Sequence, residues 1–161
     1  MTASERAPDM QRSRATAGAR GLRTPIMWGV VWGCLQAASP LGFFWLHDAI
    51  VYAFGLVLIA AVYVGFAVAD GRSRVLAVEI GVASVFVVVA AVGVTGSAWL
   101  FVAGLAGHGL KDLWQHRTGF VAGTRWWPPF CATVDVVAAT LIAVTIVGGR
   151  PRGVVTPVTP P

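Results

Sequence analysis

Apolar residues occupy this chain in five long stretches, separated by short polar punctuation. A helix rises about 1.5 Å per residue, so about 20 apolar residues cross a hydrocarbon core about 30 Å thick. The stretches at 26–46, 49–69, 75–94, 98–116 and 127–147 each approach that length. The pattern predicts an all-α polytopic bundle of five transmembrane helices over residues 25–148. Flanking it, residues 1–24 and 149–161 read as disordered tails, the first rich in Arg and the second in Pro and Thr. A cleaved signal peptide is disfavoured, because the first apolar run is too long and Gln36-Ala37-Ala38-Ser39 is a poor cleavage site.

The connections carry their own signals. Gln36, Ser39 and Pro40 interrupt the first stretch, and Pro40 is expected to kink it. Gly29 and Gly33 form a GxxxG pair that permits close helix approach. Asp48 reads as the N-cap of the second helix. Asp70-Gly71-Arg72-Ser73-Arg74 is a charged turn, and Thr95-Gly96-Ser97 an uncharged one. Trp126-Trp127-Pro128-Pro129 opens the last stretch with prolines in the first turn, where no helical amide bond is lost.

Composition agrees with a lipid solvent. The chain is 57% hydrophobic and only 12% charged, whereas a soluble domain carries about 25% charged residues. Its net charge of +5 does not point to nucleic acid, because the Arg residues are spread over tails and turns instead of one face. They point to orientation. With five spans and a cytoplasmic N-terminus, ten of the twelve basic residues fall inside, leaving only Arg150 and Arg152 outside. A re-entrant first stretch would split them seven against five, a poorer fit. The expected location is a bacterial inner membrane, with the lipid bilayer as partner and a homo-oligomer or another membrane subunit as a further one. Cys34 and Cys131 lie in apolar stretches and read as buried structural thiols.

Charges inside the spans are the candidate chemistry, since each costs about 2.5–3.5 kcal/mol to insert. On the fourth helix His108, Lys111, Asp112, Gln115 and His116 share an arc of about 140°. By helical rise, Glu79 and Asp112 lie about 6 Å deep and His108 and Asp135 about 12 Å. Glu79, His108, Lys111, Asp112 and Asp135 are therefore expected to form one buried polar network. It would lock the helices together or handle protons or cations, as in a small transporter-like protein or accessory subunit. No cofactor is required by this reading, which is non-enzymatic. The runner-up is a membrane-embedded metalloenzyme, with a divalent metal on His108, Asp112 and His116, an HxxxDxxxH spacing on one helical face. No phosphate-binding loop, dinucleotide fingerprint, nucleophile elbow or HExxH motif is present.

Overall fold

The computed structural model describes the backbone of residues 3–149 and the side chains of residues 21–149. The described part is all-helical, with five helices in chain order: α1 (Ala3–Gly42), α2 (Asp48–Asp70), α3 (Ser73–Thr95), α4 (Trp99–Thr118) and α5 (Trp127–Val147). By length and apolarity, α2, α3 and α5 qualify as membrane spans. α4 falls short because Lys111, Asp112 and Arg117 crowd its second half.

α1 departs from the sequence expectation at both ends. Residues 3–24 were expected to be disordered, yet the helix begins at Ala3. Ala, Arg, Glu, Gln and Met dominate this segment and stand at the favourable end of the helix scale. A helix already nucleated in the apolar stretch can extend back through such residues without a new nucleation cost. The Pro/Thr-rich tail expected at 149–161 lies outside the described residues beyond Gly149. At its other end α1 stops at Gly42, four residues before the expected boundary at 46. Pro40 has no amide to give the Gln36 carbonyl, and the Ser39 hydroxyl donates to that oxygen instead, at 2.7 Å.

The other termini follow local chemistry. Asp48 is the first residue inside α2 and not its cap; His47 takes the extended cap position without a side-chain bond. There the Asp48 carboxylate faces the positive end of the helix dipole. α2 and α4 end on Gly71 and Gly119 in the left-handed region, with φ of 77° and 59°.

α5 is the axis of the assembly, packing on α1 along one side and α4 along another, while α2 pairs with α3. Glycine sets the α1–α5 distance. A Cβ on Gly29 would lie 2.6 Å from Thr133 Cβ, and one on Gly33 2.7 Å from Val137 Cβ. The core between α2, α3, α4 and α5 is built from Leu56, Phe86, Leu105, Ala138 and Ile142, with small Ala60, Ala90 and Ala139 between them. Large apolar side chains such as Leu41, Phe44, Phe54, Leu58 and Val147 point outward. That inversion is what lipid-facing helices require. Cys34 lies among these exposed residues, because its face of α1 looks away from α5; Cys131 is buried.

A second core cluster closes one end of the bundle. Val121, from the α4–α5 loop, is buried against Tyr63, Ala67 and Val75. The loop is tied down from the α2–α3 turn. The Arg72 guanidinium bridges Asp70 and donates from Nη2 to the Phe120 carbonyl at 2.7 Å. The Ala122 amide donates to Asp70 Oδ2, also at 2.7 Å.

Candidate functional site

The tied-down end of the bundle encloses a polar cluster supplied by four helices. Tyr63 comes from α2, Glu79 from α3, His108, Lys111, Asp112 and Gln115 from α4, and Asp135 from α5. All but Lys111 are buried, and the Lys111 side chain is only 13% exposed. α4 supplies four of the seven because its i, i+3, i+4 and i+7 positions share one face.

The cluster divides into two parts. In the first, Lys111 Nζ donates to Glu79 Oε2 at 2.7 Å and sits over the Tyr63 ring, 3.5 Å from its centroid. Ion pair and cation–π contact together hold the ammonium in place of water. In the second, His108 Nδ1 faces two carboxylates at once. It lies at hydrogen-bonding distance, 2.8 Å, from Asp135 Oδ2 and 3.4 Å from Asp112 Oδ2 on its own helix. The Phe86 ring meets the imidazole edge-on at 5.1 Å between centroids, and the Tyr63 ring flanks it at 5.8 Å. These walls fix the ring plane and leave Nε2 without a hydrogen-bond partner.

Close backbone approach makes the second part possible. Gly109 faces α5, where a Cβ would meet Asp135 Cβ at 3.3 Å. Any larger residue at 109 would push Asp135 away from His108.

The cluster is under-satisfied. The Tyr63 hydroxyl, Glu79 Oε1, both Asp112 oxygens, Asp135 Oδ1 and both Gln115 amide atoms are buried without a hydrogen-bond partner. A buried polar group left unpaired costs about 1–3 kcal/mol, and more if charged.

Of the residues singled out in the sequence, Glu79, His108, Lys111, Asp112 and Asp135 all meet here. His116 does not: it is exposed on the last turn of α4, too far round the helix to face α5. His108, Asp112 and His116 therefore do not converge, whereas His108, Asp112 and Asp135 each bring one N or O atom within 4.8 Å of the others. Tyr63 was not anticipated. Its signal was a phenol, one of two on an otherwise apolar helix, two turns from the charged 70–74 turn. Gln115 was placed on the polar face but not in the network.

A concavity of about 390 Å³ lies on the outer surface between α1 and α5. Trp28, Trp32, Trp126, Trp127 and Phe130 line it, and none belongs to the polar cluster. No protein-family model, curated protein or solved structure shows a significant match to the chain.

Proposed function

We propose that this chain is a polytopic inner-membrane protein of bacterial type that handles cations through its buried cluster, as a small transporter-like protein or accessory subunit. In this reading all five helices cross the bilayer, with the N-terminus in the cytoplasm and the C-terminus outside. The three long apolar helices support membrane insertion. The split of ten basic residues against two supports the orientation.

One observation carries the cation reading: the charge of the cluster does not balance. Lys111 is cancelled by Glu79, its partner at 2.7 Å. That leaves Asp112 and Asp135, both fully buried, against a single imidazole. With both carboxylates ionised, the three groups together carry two negative charges when His108 is neutral and one when it is protonated. Uncompensated buried charge of that size costs several kcal/mol per ion. The cluster lowers this cost by taking up positive charge from outside the chain. Purely structural polar locks would close their own charge, as Lys111 and Glu79 do.

Reconstitution in vesicles tests the reading. Wild-type protein should dissipate an imposed proton or divalent-cation gradient faster than Asp112→Asn protein of equal helicity. Equal rates would overturn cation handling. A reporter fused after Val147 should report the outer side, and a cytoplasmic signal there would exclude the five-span orientation.

A further inference from the structure

We propose that His108 Nδ1 and the carboxylates of Asp112 and Asp135 form a binding site for one divalent transition-metal ion of the zinc, manganese or ferrous class. The inference rests on the reading of the cluster as cation-binding and identifies the cation.

Geometry is the first ground. Donors about 2.1 Å from a common ion are separated by about 3.0 Å at a right angle and about 3.4 Å at the tetrahedral angle. His108 Nδ1 lies 2.8 Å from Asp135 Oδ2 and 3.4 Å from Asp112 Oδ2, two edges of such a polyhedron. The remaining separation is bounded by 4.8 Å, and a small rotation of either aspartate would close it onto a shared ion. The donors come from two helices held together at Gly109, so the site is set by the α4–α5 contact and not by a flexible loop.

Charge is the second ground. Binding puts the single imidazole proton on Nε2 and frees the Nδ1 lone pair for the ion; the three ligands, with both carboxylates ionised, then carry two negative charges, the complement of a divalent ion. Lys111 does not oppose binding, because its charge is already met by Glu79 and the Tyr63 ring.

Unmet hydrogen-bonding capacity is the third. One N–H on His108 cannot serve both carboxylates, and Asp112 is left with no donor on either oxygen. The Tyr63 hydroxyl, fully buried, lies beside Asp112. An ion at the centre would satisfy the Asp112 and Asp135 oxygens together. One imidazole and two carboxylates suit Zn²⁺, Mn²⁺ or Fe²⁺ and give no soft sulfur ligand that would select Cu⁺.

The test uses full-length protein purified in detergent without chelator, assayed for metal by elemental analysis. The same protein, stripped with chelator, is then titrated with Zn²⁺, Mn²⁺ or Fe²⁺ while thermal unfolding is followed. About one equivalent per chain is expected, with a rise in Tm of about 5 °C or more at saturation. Asp112→Asn and Asp135→Asn should each lose the equivalent and the shift, whereas His116→Ala should keep both. Stoichiometric metal retained by both Asn variants would overturn the site. If wild-type protein binds no metal but still dissipates a proton gradient in vesicles, the metal site fails and the cation reading stands. If it does neither, both fail.

Discussion

His108 and Asp135 are 27 residues apart in sequence and joined at 2.8 Å in a fully buried contact between α4 and α5. This contact and the Asp112 carboxylate beside it tie the stability of the bundle to its chemistry. Replacing His108 with Leu removes the imidazole that meets both carboxylates. The expected outcome is a loss of about 3–5 kcal/mol, the cost of breaking a buried charge pair from one side. Thermal unfolding in detergent reads it, and Asp112→Asn in the same background should recover part of the loss.

The Lys111–Glu79 pair makes a cleaner double-mutant cycle, because each partner has one ionic contact. Lys111→Met alone should destabilise by about 3–5 kcal/mol, since it strands Glu79 in the interior. Glu79→Gln added to it should restore most of that stability, and additive losses would show that the two residues do not interact energetically.

The glycine contacts of α1 predict a position-specific tolerance. Gly33→Leu must displace Val137 and the Val134 carbonyl, costing about 1–3 kcal/mol and parting α1 from α5. Gly65→Ala meets nothing within 4 Å and should stay within about 0.5 kcal/mol of wild type. Disulfide trapping between cysteines introduced at exposed flanking positions of α1 and α5 would report the separation directly.

The Asp70 clamp governs the α4–α5 loop. Asp70→Ala removes the acceptor of the Ala122 amide and frees Arg72 from its bidentate partner. Hydrogen exchange at Ala122 should accelerate at least tenfold while exchange in the middle of α5 is unchanged. Unchanged protection at Ala122 would mean that Val121 packing alone holds the loop.

Much of this arrangement was legible in the sequence. Hydrophobic run length gave the five helices, because apolar stretches of about 20 residues have few other outcomes. Helical angle and depth brought Glu79, His108, Lys111, Asp112 and Asp135 to one place, since rise and twist are fixed quantities. What escaped was lateral. The sequence offered His116 as a third group beside His108 and Asp112, with Glu79 or Asp135 to complete the set; which of them faces the pair depends on the rotation of α4 against α5, and Gly109 beside Asp135 is a tertiary fact. Tyr63 escaped for a similar reason, since a phenol on an apolar helix faces lipid headgroups or interior polar groups according to the helix's rotation. The end of α1 was misjudged because Ser39 and Pro40 act as a pair, the hydroxyl of one serving the carbonyl that the other cannot reach.

The 32 residues between Glu79 and Lys111 also have a meaning in time. During synthesis α3 emerges with a carboxylate that has no counter-ion until most of α4 has followed. At tens of residues per second or fewer, that interval lasts seconds. For the five-span protein, α3 must then wait at the insertion machinery, or carry a proton into the lipid, until α4 arrives. In that five-span reading the Lys111–Glu79 contact makes α3 and α4 a single unit of insertion, and truncation between Thr95 and Lys111 should leave α3 poorly integrated.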